Sequence, residues 1–201
     1  MKSNIPVYIL SIKRNKSNAD KTKSHLKKLF SNVKIYYGLD IKSKENIEKI
    51  SGAEVIAYNV MRMIEKLGLS KPFIFAEDDI RITRPDDLLK YLKNGIPGSN
   101  INRLAYSGAQ ADLKGAMFVG INNPISVYKK LKTTRHIHWD RWLNKHFPNQ
   151  TICDNFGINF LDRESNMNYK MPERIKKQTR MFLKGERENI PLANRRRKAY
   201  I

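Results

Sequence analysis

Residues 51–87 read SGAEVIAYNVMRMIEKLGLSKPFIFAEDDIRITRPDD. Ser51 and Glu54 stand at capping-box spacing. After them Val55, Ile56, Val60, Met63, Ile64 and Leu67 recur at helical spacing, and Gly68 closes the run. Pro72 introduces Phe73-Ile74-Phe75-Ala76, a short unbroken apolar run of the kind that forms a strand covered on both faces. Pro85 suits the first turn of a helix bearing Leu88, Leu89 and Leu92. Helix, buried strand and helix predict an α/β unit, and Glu77-Asp78-Asp79 falls at the strand's carboxyl end.

Upstream, Val7-Tyr8-Ile9-Leu10 reads as a buried strand. Ser17 and Asp20 resemble a capping box opening a helix with Leu26, Leu29 and Phe30 on one face, and residues 33–37 form a strand ended by Gly38. Downstream, strands are expected at 103–106, 116–120 and 151–153, with helices at 124–132 and 140–147. The alternation predicts an α/β fold with a mainly parallel sheet flanked by helices. The pattern fades beyond about Arg163, which divides the chain into a domain at 1–162 and a basic C-terminal segment at 163–201.

The formal charge is +20, of which residues 1–50 and 163–201 carry +8 each. Such a field attracts polyanions such as DNA, or holds a protein against an anionic membrane surface; a solvated lysine coat is the plainer reading. Cys153 is the only cysteine, which excludes an intrachain disulfide and a thiolate zinc site and suits a reducing compartment. The apolar segment Ile5 to Ile12 is broken by Pro6, is too short for a membrane span and lacks signal-peptide flanks, so a cytoplasmic protein is expected.

Three adjacent acids repel one another, and a protein tolerates that with a bound cation or in full solvent. Alternate residues of an extended segment point the same way, so Glu77 and Asp79 can face one site together. Their hard oxygens suit Mn²⁺ or Mg²⁺ completed by substrate phosphates. A solvated loop cluster, or an N-cap for the next segment, is the alternative. His136 and His138 form an HxH pair without a clear third ligand, a weak zinc signal.

The stretch at 51–87 resembles the core of the lipopolysaccharide-type glycosyltransferases, family 25, in which a helix leads to an apolar strand ending in Glu-Asp-Asp, the equivalent of a DxD motif. IPVYILSIKR (5–14) is similar to that family's first strand and YYGLDIKS (36–43) to its second strand and turn. LKGAMFVGINNPISVYKKL (113–131) resembles a later strand and helix, and HIHWDRWLNKHF (136–147) a downstream helix start bearing an Asp. The similarity covers roughly residues 5–160. Two departures stand out: Ser11-Ile12-Lys13 replaces the usual Asn-Leu-Asp, and Gly38-Leu39-Asp40 reorders the turn.

The resemblance implies a GT-A fold, a nucleotide-sugar donor (a UDP-sugar) and a divalent metal. It implies that Asp79 holds the metal on the donor diphosphate and that Glu77 assists through metal or ribose. Asp78 either joins donor binding or turns inward to cap backbone amides. Ser11, Lys13, Arg14 and Gly38 lie where the donor nucleotide would rest, Arg14 fitted to pair with a phosphate; surface cations are the plainer reading of Lys13 and Arg14. Asp140 is the candidate base, its pKa raised by the flanking Trp139 and Trp142; an N-capping Asp between core tryptophans is the alternative. Asp154 is the second choice.

Two acceptors fit. One is DNA carrying a hydroxymethylated base, as used by the small phage glycosyltransferases this chain resembles. Trp139, Trp142, His138, Arg195, Arg196 and Arg197 would then grip the acceptor. The other is a lipopolysaccharide or capsule glycan at the inner membrane face. A non-catalytic nucleic-acid-binding protein is the third reading, though no helix-turn-helix, zinc-finger or RNP signature supports it.

Overall fold

The fold, taken from a computed structural model, is described for residues 2–40, 55–105, 117–136, 138–153 and 156–160. Its strands are β1 (Val7–Ser11), β2 (Val33–Tyr37), β3 (Phe73–Glu77), β4 (Ile80–Ile82), β5 (Ile101–Arg103), β6 (Phe118–Ile121), β7 (Thr151–Ile152) and β8 (Ile158–Phe160). Six of them make one sheet in the order β2-β1-β3-β6-β5-β7, and β4 pairs with β8 separately. β1 runs parallel to β2 and β3, and β5 parallel to β7, whereas β6 is antiparallel to both its neighbours. Only β6 is reversed, so the sheet is mainly parallel, as expected. The carboxyl ends of the other five strands share one edge with the amino end of β6. Because β1 lies between β2 and β3, the strand order reverses there, which is where open α/β sheets place their ligand crevice.

The helices are α1 (Lys16–Leu26), α2 (Val55–Leu67), α3 (Pro85–Tyr91), α4 (Pro124–Thr133) and α5 (Trp139–His146). Strand side chains alternate between two layers. Val7, Ile9, Ile74 and Ala76 pack with Leu26, Phe30 and Leu88, so α1 and α3 cover one face. Tyr8, Leu10, Phe73 and Phe75 pack with Val60, Met63, Val127 and Trp142, so α2, α4 and α5 cover the other. Residues 73–76 are all within 1% of full burial, which explains their unbroken apolar run. Each large side chain there contributes about 1.5–3 kcal/mol.

α2 ends as its sequence predicts. Gly68 has φ +57°, its N–H reaches Glu65 O and the next N–H, of Leu69, reaches Ile64 O. Those two bonds make a Schellman cap, which needs a left-handed residue at that position.

Three expectations need correction. α1 begins at Lys16 with Asn15 at its N-cap and no side-chain cap bond, so Ser17 and Asp20 form no capping box. The chain enters the helix from a 3-10 turn, Lys13–Asn15, which already sets the direction. β5 and β6 are displaced from the expected strands, while residues 106–116 and the Ser51–Glu54 cap lie outside the described residues. The β4–β8 ribbon was not anticipated. Among the described residues no helix is long and apolar enough to cross a membrane.

Candidate active site

The carboxyl edge of the sheet gathers most of the singled-out residues. Ser11 pairs in register with Tyr37, and Leu10 with Glu77, so the ends of β1, β2 and β3 lie side by side. Gly38 N–H bonds Ser11 O at 2.8 Å. The buried carboxamide of Asn59 on α2 clamps the next residue, accepting from Leu39 N–H at 2.8 Å and donating to Leu39 O at 3.0 Å. A Cβ on Gly38 would stand 2.5 Å from the Asn59 side chain, so only glycine leaves room for the clamp. Gly38→Ala is expected to displace Asn59 and cost about 1–3 kcal/mol, read as a lowered midpoint in denaturant. Lys13 and Arg14 are exposed on the 3-10 turn after β1, and Arg14 Nε pairs with Asp40 at 3.1 Å.

Strand alternation separates the acidic trio. Glu77 continues the Phe73 and Phe75 side of β3 toward the layer of α2 and α5. Asp78 turns to the α1 layer, where its Oδ2 accepts from buried Ser11 Oγ at 2.5 Å. Thr22 Oγ1 on α1 donates to the Asp78 carbonyl at 2.8 Å. Asp78 thus ties β1, β3 and α1 together by accepting hydroxyl hydrogen bonds at its carboxylate and its carbonyl, and among the described residues its side chain caps no backbone amide of another segment. Its pKa is raised, burial outweighing the hydrogen bonds from Ser11 and Asn15. Ser11 is accordingly already engaged.

Glu77 sits in the strongest field of the site. Burial, then the charges of Asp79, Asp78 and Asp140, push its carboxyl up to about 8. Asp140, on the first turn of α5, therefore shares an electrostatic neighbourhood with Glu77, although 63 positions separate them in sequence. The sign of the pH effect follows. Folded Glu77 holds its proton more tightly than the unfolded chain does. That contribution to stability is complete below 4.5 and is lost as pH rises through about 8. Metal-free protein should melt at progressively lower temperature across that window, and Glu77→Gln should flatten the decline. A wild-type-minus-variant difference that does not change with pH would contradict the assignment.

Asp140 corrects two expectations. His138, not Asp140, occupies the N-cap position, and it makes no side-chain cap bond. Asp140 Oδ1 contacts His138 Nδ1 and accepts from Arg141 N–H at 2.8 Å. Its pKa is lowered, not raised: burial works upward, but His138, Arg141 N–H and the Arg103 guanidinium outweigh it. Arg103, fully buried at the end of β5, was not anticipated. Its Nη2 donates to Asp140 O at 2.6 Å and to Asn144 Oδ1 at 3.1 Å, and its Nε donates to Gln150 Oε1 at 2.6 Å. The detectable signal was an arginine in a short strand between the apolar Ile101 and Leu104.

Trp139 and Trp142 are core side chains, at 1% and 0% exposure. They stack on each other at 5.6 Å, and Phe75 meets Trp139 edge-on. Their faces are taken, so they do not offer a stacking platform for an acceptor; the i,i+3 spacing marks the buried stripe of α5. His136 bonds Leu131 O and packs on Tyr58, while the half-exposed His138 turns to Asp140, so the HxH pair does not converge. Cys153 packs against the core. Asp154, Arg195, Arg196 and Arg197, with the whole of 163–201, lie outside the described residues.

Among the described residues no three His, Cys, Asp or Glu side chains are gathered as a self-sufficient metal cage. A hard cation that keeps water and substrate phosphates as ligands needs only one or two carboxylates. The donor set fits that case: half-buried Glu77 is pushed to retain its proton by desolvation and then by three neighbouring acids, and a divalent cation would relieve the charge part of that.

No family model matches the chain, and no curated protein matches it. Among solved structures it is similar to a glycosyltransferase involved in the glycosylation of the major capsid of PBCV-1, with TM-score 0.48 and 8% identity over 76% of this chain and 83% of that one.

Proposed function

We propose that this chain is a divalent-metal-dependent glycosyltransferase that moves a sugar from a UDP-sugar donor to a hydroxyl acceptor, a hydroxymethylated base in DNA. The observation that carries the reading is placement: Glu77 ends the interior strand β3 at the carboxyl edge of the sheet, beside the end of β1, with Asp78 and Asp79 in the turn that follows. Asp79 and Glu77 would hold Mn²⁺ or Mg²⁺, which supplies Lewis-acid neutralisation of the departing diphosphate. Lys13 and Arg14 line the same edge for donor phosphates. In a single displacement the acceptor oxygen bonds the anomeric carbon, the bond to the diphosphate breaks, and the hydroxyl proton needs a base. We assign that base to His138, with Asp140 as the orienting carboxylate on Nδ1, in place of Asp140 itself. A carboxylate with depressed pKa is a poor proton acceptor but a good anchor for an imidazole.

The large positive charge favours DNA over a glycan acceptor. The test is incubation with labelled UDP-sugars, Mn²⁺ and duplexes with or without hydroxymethylcytosine. Label is expected in the modified duplex alone. Transfer to a truncated oligosaccharide and never to DNA would replace the acceptor, and no donor consumption with any acceptor would overturn the enzyme reading.

A further inference from the structure

Residues 13–28 hold seven Lys and Arg against one acid, Asp20. α1 turns Ala19, Thr22 and Leu26 into the core, which leaves the cations outward. Lys16, Lys21, Lys27 and Lys28 are exposed, and none of them forms an ion pair with a described residue. Ser17, Lys21, Ser24 and Lys28, the last in the turn just after α1, fall at helical spacing and share one stripe; with Lys16, His25 and the single acid Asp20 they border a shallow open groove that keeps a net positive charge. His25 adds no charge: its Nε2 accepts from Ile82 N–H at 2.9 Å, and its pKa is lowered by burial, then by Lys28 and Arg81. Burial is the larger part of that depression, and the two cations add to it.

We infer that the exposed face of α1 is a docking ridge for the phosphate backbone of duplex DNA, with Lys16, Lys21 and Lys28 as its principal cations. As a substrate-positioning device the ridge rests on the DNA-acceptor reading above. Charge complementarity names the occupant, and the shape refines it. The helix is about 16 Å long, and along that length a duplex presents about ten phosphate charges. The serine hydroxyls between the lysines are donors of the kind that contact phosphate oxygens. An anionic membrane fits less well, because no apolar or aromatic side chain is exposed on this face to enter a bilayer. The ridge also begins beside the candidate site, since α1 follows directly on the 3-10 turn at the carboxyl end of β1. Thr22, on the inner side of α1, donates to the Asp78 carbonyl within the acidic trio.

The test compares two triple variants of the full chain that remove equal charge. One is Lys16→Gln, Lys21→Gln and Lys28→Gln; the other is Lys66→Gln, Lys129→Gln and Lys145→Gln, exposed positions on the opposite layer. Binding to a duplex of about three helical turns is measured against salt. The ridge variant is expected to lose about 10- to 100-fold in affinity and to flatten the log–log salt slope by about 2–3, with the control near wild type. Equal losses in both variants would reduce the effect to overall charge, and no loss in the ridge variant would show α1 idle; either overturns the inference. Binding to phosphatidylserine vesicles but not to DNA would overturn it in favour of a membrane. Single Lys21→Gln, checked by thermal melting, covers misfolding of the triple. UDP-sugar hydrolysis separates the two readings: a ridge variant that loses DNA but hydrolyses donor normally supports both. Loss of DNA binding in a protein that never consumes donor leaves the ridge standing and removes the enzyme.

Discussion

Asp79→Asn is expected to lower sugar transfer by about 10²–10³-fold while leaving DNA affinity and its salt slope nearly unchanged. The substitution is almost isosteric, and Asp79 lies in the turn after β3, so the buried strand keeps its packing. What changes is the charge available to a cation on the donor diphosphate. A second readout is independent of turnover. Asp79 is the largest charge term raising Glu77, so its removal should move the stability transition assigned to Glu77 to lower pH. An Asp79→Asn protein with normal transfer, tested with saturating Mn²⁺ and with chelator, would remove the metal from the reading. Loss of DNA binding in the same variant would show the turn to be structural instead.

The part of the fold that sequence reveals is the part where one residue pattern admits one environment. Phe73–Ala76 is apolar throughout because both faces are covered, and no amphipathic strand would read that way. Gly68 marks a helix end because a left-handed position after a run of helical periodicity has few other occupants. β4 and β8 were illegible for the converse reason. Three residues carry too little alternation to distinguish a ribbon from a turn, and their pairing joins positions almost 80 apart in the chain.

The site was legible as an acidic cluster at a strand end but not as a network. Spacing alone leaves open which neighbour each acid meets; β-strand alternation then sends Glu77 and Asp78 to opposite layers, where α5 and α1 decide their company. Asp140, singled out on resemblance, acts electrostatically on Glu77, and its pKa runs opposite to the expected direction. The tryptophans suggested desolvation, whereas the groups that outweigh it are His138, two positions away, then Arg141 N–H, with the Arg103 guanidinium adding from another strand. A helix's own sequence does not disclose a cation delivered to it from across the fold.

That cation gives the largest expected effect on stability. Arg103 is fully buried, and its guanidinium bonds Asp140 O, Asn144 Oδ1 and Gln150 Oε1. Arg103→Met roughly preserves volume but removes the charged donor on the buried Asp140 carbonyl and one of the cations that act on the Asp140 carboxylate. The expected cost is about 2–4 kcal/mol, the loss of a buried charged donor from the Asp140 carbonyl and its neighbours. For a chain of this length that is a fall in Tm of roughly 10 °C. Asn144 is exposed and Gln150 half-exposed, so their lost bonds pass to water and add little. The carboxylate cannot escape in that way, and its pKa should rise, although His138 and Arg141 N–H still hold it down. Arg103→Lys should recover less than half of the loss, because an ammonium cannot reach Nε and Nη2 partners together. If Asp140→Asn, made in the Arg103→Met background, restores part of the Tm, the stranded carboxylate is the cause. An additive double variant would place the cost in packing alone.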